Sequence, residues 1–289
     1  MKLHQIYHPI TATPYKCTKE YMEFPPCDAL KPYIRCFWGS REVVAGMGNR
    51  PAVPEPVIPD TCMDIIFTVN HTDHSIESSF CGIDDRTFFT QSCGEKQNSY
   101  FIFGIRFYPW SVSMFTEDSM KNTKNAFFDA GYHFSGIKKE ITAQLFDIKD
   151  MYELVPVAER ILLHHFHDKF SSHIVLLATS KILETKGSLR IADLKQEVLV
   201  SSRQLERLFL EYVGIPPKSL AAIVRYQYMW NDFVFHPDLP LVDAVYKYGY
   251  SDQAHLCREF KKYHSMNISE ARNHALPNVG NIQDGSYEL

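Results

Sequence analysis

Arg203, Glu206 and Arg207 stand three and four residues apart in VSSRQLERLFLEY (200–212). On a helix such positions share one face. A guanidinium can bond guanine O6 and N7 bidentately, and a carboxylate can accept from cytosine N4, so that face can read the major groove of a duplex. A second segment, SDQAHLCREFKKYH (251–264), presents Gln253, Ala254, Cys257, Arg258 and Lys261 in the same way. It is poorer in base-reading groups, since Ala254 and Cys257 can touch at most a thymine methyl. We therefore expect the first segment to discriminate sequence and the second to add affinity.

Both segments sit in one duplicated unit. Ile191 aligns with Leu241 and Ser201 with Ser251 at an offset of 50, and Leu205, Arg207, Phe209 and Tyr212 align with Leu256, Arg258, Phe260 and Tyr263 at an offset of 51. Each copy reads as a short helix, a tight turn and a longer helix, the helix-turn-helix pattern. Ser201 stands where an N-cap belongs, with Gln204 completing a capping box. Gly249 suits the position just past a short helix, and Ser251 or Asp252 caps the next one. Leu205, Leu208, Phe209 and Tyr212 form the inward stripe of the first long helix, with Leu210 on the outer face; Leu256, Phe260 and Tyr263 form the stripe of the second. Between the copies, 217–235 reads as a helix that starts at Pro216–Pro217 and stops at His236–Pro237. At ~1.5 Å per residue its 19 residues span ~28 Å. The spacing of successive major-groove faces is ~34 Å.

The segment GYSDQAHLCREFKKYHSMNISEAR resembles the signature of the AraC/XylS family of transcriptional regulators, and VSSRQLERLFLEYVGIPPKSLAAIVRYQ resembles that family's first helix-turn-helix. The resemblance covers about 90 residues and implies a seven-helix DNA-binding module with recognition helices at 202–212 and 252–264. It places Arg203, Glu206 and Arg207 at base-reading positions of the first helix, and Gln253, Ala254 and Arg258 at those of the second. Ser202 and Lys261 complete the expected DNA-facing set. Val242, Val245 and Tyr248 stand where the family has small residues, which implies a second unit packed slightly open. VIPDTCMDIIF (57–67), FGIRFYP (103–109) and NVGNIQD (278–284) are similar, more faintly, to the effector domain and tail of one subgroup.

The first half is of a different kind. Met63–Val69 and Tyr100–Phe107 are apolar runs bounded by NHTDHS and CGEKQNS, the pattern of buried strands. Pro51–Pro59 reads as an extended rim or loop. Helical spacing appears after Ser113 and is clear in 153–169 and 172–184, a helical hairpin broken at Phe170–Ser171 that could form a dimer contact. The expected fold is α+β: a β-rich barrel or sandwich at 1–150, a helical connector at 151–186, an all-α double helix-turn-helix module at 187–276 and a tail at 277–289.

Asp60, Asp64 and Arg106 are the charged residues inside the apolar runs. They are candidates for binding a small effector: Arg106 for an anion, the aspartates for a cation. The other reading is an internal ion pair tying two strands. His164, His165, His167 and His173 form a cluster that we read as solvated or amphipathic positions, and no metal or cofactor is expected.

Seven cysteines without a C-x-x-C pair suggest neither a disulfide framework nor a zinc motif. A metal- or thiol-redox-sensing regulator, or a DNA-modifying enzyme with a cysteine alkyl acceptor fused to the same module, remain alternatives, but the expected protein is not an enzyme. No apolar run is long enough for a membrane span, and the start of the chain shows no secretory pattern, so a cytoplasmic protein is expected. The formal charge is −4 overall, whereas residues 171–276 carry 13 Lys and Arg against 11 Asp and Glu. That sign suits double-stranded DNA as the partner but is too weak to argue it alone. RNA polymerase becomes a further partner if the protein activates, and a homodimer would add effective concentration to a module that reads an asymmetric site.

Overall fold

The computed structural model describes residues 2–10, 21–41, 43, 56–89, 99–148, 150–168, 172–236 and 238–275. The tail motif at 278–284, Pro51 to residue 55, and Cys17 and Cys93 lie outside them.

Among the described residues the N-terminal part holds eight strands: β1 (Met22–Phe24), β2 (Ile34–Gly39), β3 (Pro56–Val57), β4 (Met63–Asn70), β5 (Ser75–Cys81), β6 (Phe88–Phe89), β7 (Tyr100–Phe107) and β8 (Phe127–Asp129). Six make one antiparallel sheet in the order β1-β2-β7-β4-β5-β8, and β3 pairs with β6 in a second, small sheet. The two apolar runs of the sequence are the neighbours β4 and β7, in register from Met63↔Phe107 to Asn70↔Tyr100. Their alternate residues Ile65, Phe67, Val69, Phe101, Phe103, Ile105 and Phe107 are fully buried on one face. That face continues into Phe80 and packs on Phe134 of α1 (Gly131–Thr142), with ring centroids 5.1 Å apart.

α2 (Met151–His164) packs on α1 and on β1, where Phe24 meets Tyr152 edge to face. The helix stops five residues before the expected Lys169. Phe166 turns inward between Tyr33 and Phe115, at 4.7 and 5.7 Å between centroids, and that aromatic contact replaces a further helical turn.

The C-terminal part is all helical: α3 (Ser172–Glu184), α4 (Ile191–Glu197), α5 (Ser202–Tyr212), α6 (Pro217–Phe235), α7 (Leu241–Lys247), α8 (Gln253–His264) and α9 (Ile268–Ala275). The two hairpins α4–α5 and α7–α8 are the duplicated unit, and α3 packs on α4, α5 and α6. α6 runs through the middle, with Leu220, Ile223, Val224, Tyr226, Met229 and Trp230 fully buried. Its Arg225 holds Glu259 of α8 bidentately at 2.7 Å and lies over the ring of Tyr250. Tyr226 bonds Nδ1 of His264 at 2.8 Å.

α6 also holds the N-terminal part. Gln227 is buried; its Oε1 accepts from the Ile10 amide at 2.8 Å, and its Nε2 donates to the carbonyls of Ile10 and Pro59 at 3.0 and 2.6 Å. Tyr228 donates to the Ile6 carbonyl at 2.6 Å and its ring lies tilted against that of Tyr7, which bonds Thr61. A further contact closes at Gly214, just past α5, with φ +84°. A Cβ there would lie 2.4 Å from Oγ1 of Thr123 and 2.8 Å from the Met120 carbonyl, so the N-terminal part can approach only a glycine.

Replacing Gln227 strips partners from three buried backbone groups, each worth about 1–3 kcal/mol when left unsatisfied. Gln227→Ala is therefore expected to lower thermal stability and to split one calorimetric unfolding transition into two, as the N-terminal part and the helical module lose their coupling.

Candidate nucleic-acid interface

Each long helix of the duplicated unit is started by its own sequence. Ser201 Oγ accepts from the Gln204 amide at 3.2 Å and caps α5. Asp252, rather than Ser251, caps α8 by accepting from the His255 amide at 2.6 Å, while Ser251 bonds the Asp252 carboxylate. Gly249 follows α7 with φ +65°. The apolar stripes lie where expected: Leu205 and Phe209, and Leu256 and Phe260, are fully buried, and Leu208 and Tyr263 are buried.

The opposite faces are open. Ser202, Arg203, Glu206 and Arg207 on α5 are exposed, as are Gln253, Ala254, Cys257, Arg258 and Lys261 on α8. Leu210 differs from expectation and is half-buried. The carboxylate most able to neutralise the α8 face, Glu259, is turned away and engaged by Arg225 and Tyr250. Lys262 lies exposed beside Tyr263, 4.7 Å from its ring.

The two recognition helices are anchored alike at their C-terminal ends. The Met120 amide donates to the Glu211 carbonyl of α5 at 2.8 Å, and Lys121 pairs with the Glu211 carboxylate at 3.1 Å. Thr87 donates to the Tyr263 carbonyl of α8. Both helices thus leave their N-terminal halves free, the ends from which a helix-turn-helix addresses base edges. Missing from the sequence reading were these anchors, Gln227, and two exposed apolar residues beside the short helices, Leu199 in the first turn and Tyr246 on α7.

Tyr248 corrects the expectation of an open second unit. It is buried, with its hydroxyl donating to the Tyr228 carbonyl and the Asp232 carboxylate, so its bulk fills the joint between α7 and α6. Val245 is also buried, and only Val242 faces outward.

The candidate effector residues form a different arrangement. Asp64 and Arg106 are register partners on β4 and β7; Arg106 Nε and Nη2 bond the carboxylate at 3.0 and 3.2 Å, and Trp38 Nε1 donates to it at 2.7 Å. This is an internal ion pair tying two central strands. It lies in a row across the sheet, Cys36–Arg106–Asp64–Cys81. Asp60 is 3.9 Å from Arg106 Nη1, which has no hydrogen-bond partner among the described residues. Burial pushes the Asp60 carboxyl up to about 7 against the pull of Arg106. Burial likewise raises the Cys36 and Cys62 thiols well above their ordinary range. Such thiols stay protonated and unreactive.

Residues 194–274 match a family described as a helix-turn-helix domain, spanning both hairpins and α6 between them. The C-terminal module is an AraC-type helix-turn-helix domain. Residues 22–129, from β1 to β8, match a family described as a domain of unknown function (DUF6597). No curated protein sequence matches the chain. Among solved structures, ToxT from Vibrio cholerae is similar at 11% identity and a TM-score of 0.40, over 89% of this chain and 99% of that one. ToxT from strain SCE256 with a bound unsaturated fatty acid is similar at 9% identity and a TM-score of 0.37, over 91% and 98% of the two chains. Among the described residues no helix is long and apolar enough to cross a membrane.

Asp60 sets a pH dependence. Unfolded, its carboxyl titrates near ~3.9; folded, near about 7. The native state therefore holds the extra proton between those values. The stability that proton contributes is complete below the unfolded value and lost as pH rises through the folded one. The unfolding temperature is expected to fall between about pH 4 and pH 7, and less steeply in Asp60→Asn, measured by thermal melts across that range.

Proposed function

We propose that this DNA-binding protein is a sequence-specific transcription regulator in which α5 reads bases and α8 chiefly anchors the duplex. One observation carries the reading: two capped helices at a repeat offset, each free at its N-terminal half and bonded to the N-terminal part at its C-terminal end. Arg203, Glu206 and Arg207, with Ser202 at the helix start, form the discriminating face. Gln253, Ala254, Arg258 and Lys261 form the second, where the arginine and lysine serve the phosphate backbone. The protein acts where DNA is, in the cytoplasm, and meets RNA polymerase if it activates.

Control by a small effector in the N-terminal part belongs to the same proposal. Asp64 is saturated by Arg106 and Trp38, so the groups left for a ligand are the Nη1 of Arg106 and the near-neutral carboxyl of Asp60. Asp60 also lies next to Pro59, whose carbonyl bonds α6, so a ligand there would act close to the joint with the DNA module. The redox-sensing and alkyl-acceptor readings need a reactive thiol, and burial at Cys36 and Cys62 argues against either serving.

The test is binding of the purified chain to its own upstream DNA over a salt series. Affinity is expected to fall steeply with salt and to differ between that DNA and a scrambled duplex; binding without either property overturns the proposal. Arg207→Ala is expected to relax specificity at one base pair, at a cost of about 1–3 kcal/mol. A uniform loss over all sequences would place Arg207 on phosphates instead.

A further inference from the structure

Three ligand-bearing side chains converge at a place that neither the DNA face nor the sheet uses. α1 carries Gly136 and Glu140 one turn apart, and α2 ends in His164 with His165 as its C-cap. Nε2 of His165 is 2.7 Å from Oε1 of Glu140, and Nδ1 of His164 is 3.8 Å from the same oxygen. One ligand atom from each residue lies within 4.8 Å of the other two. A simple ion pair accounts for one imidazole on a carboxylate. It does not account for a second one turned onto the same oxygen, with the two rings at 67°.

The surroundings favour an ion. A Cβ at Gly136 would lie 2.5 Å from Cε1 of His165, so the ring rests in a cradle that only glycine leaves open. The C-terminal end of a helix carries partial negative charge, and the two histidines stand at the end of the 14-residue α2. Two atoms each ~2.1 Å from one tetrahedral centre are ~3.4 Å apart, and the observed 2.7 and 3.8 Å bracket that value. His164 is 73% exposed and free to close the difference. A cavity of about 280 Å³ opens beside Glu140, with Lys139 and Arg160 in its wall. Those two charges disfavour a bare dication but suit one that carries an anionic ligand in its open position.

We propose that Glu140, His164 and His165 bind a late first-row divalent ion, Zn²⁺ foremost, through two imidazole nitrogens and one carboxylate oxygen. The donor set is the one that such ions prefer over Mg²⁺ or Ca²⁺. Water or a small anion takes the remaining position. The sequence alone reads these histidines as solvated positions, because Glu140 lies 24 residues upstream of His164 and only the packing of α1 on α2 brings it to them. The ion would staple α1 to the end of α2, where the chain leaves toward α3. This inference does not depend on the DNA-binding proposal.

The test is calorimetric titration of the full chain, stripped with EDTA, with zinc chloride. One ion per chain is expected, and at least about tenfold weaker binding in His164→Ala and Glu140→Gln. His164 is largely exposed, so its replacement leaves the fold intact. Gly136→Ala keeps all three ligands but displaces the His165 ring and is expected to weaken binding as well, whereas His255→Ala on α8 is not. Absence of saturable binding overturns the proposal. So does equal affinity in the wild type, His164→Ala and Glu140→Gln, which would put the ion on other histidines.

Discussion

The most deeply buried polar contact between the two parts of this protein is made by one amide, that of Gln227. Gln227 is an uncharged polar side chain on the most buried helix, and burying it costs free energy unless its donors and acceptor are used. Its partners belong to Ile10 and Pro59, so the helix reaches a satisfied state only with the N-terminal part in place. The same helix holds α8 through Arg225 and Glu259 and supports α7 through the Tyr228 carbonyl. Position of the sheet and position of both helix-turn-helix units are therefore set from one rod.

That arrangement gives the N-terminal part a direct connection to α5 and α8, the helices proposed to meet DNA. Its bonds to α5 and α8 fall on the carbonyl ends of those helices, where unpaired acceptors would otherwise face solvent. Satisfying them leaves Arg203, Glu206 and Arg207 on α5 and Arg258 on α8 outside, while Glu259 of α8 is directed inward. The basic character of the exposed α8 face thus owes more to where Glu259 is sent than to an excess of basic residues. The net charge of the chain conceals it.

Much of this was legible in the sequence, and the remainder was hidden for physical reasons. The caps and apolar stripes of the repeat marked where α5 and α8 begin and which faces they bury, because these are local properties; the bounds implied by the family resemblance agree to within a residue. The runs at 63–69 and 100–107 were readable as strands for the same reason. That they are neighbours, with Asp64 directly opposite Arg106, depends on register, which no local pattern encodes. Gln227 stands at helical spacing with Leu220, Ile223 and Val224, so by local pattern it is one more stripe position. A polar residue in an apolar stripe was the available signal, since such a group must find partners. Tyr248 looked too large for its place only because α6, which offers its hydroxyl two acceptors, was not yet beside it.

The anchoring of both recognition helices at one end has a geometric consequence. DNA offers its grooves on a screw whose successive base pairs rise ~3.4 Å, so two reading heads must agree in phase as well as in distance. Heads hinged separately would each find the groove and then have to wait for the other. Here they resemble the jaws of a caliper fastened to a common handle: their phase is set before any duplex arrives, and only a deformation of the handle itself could alter it.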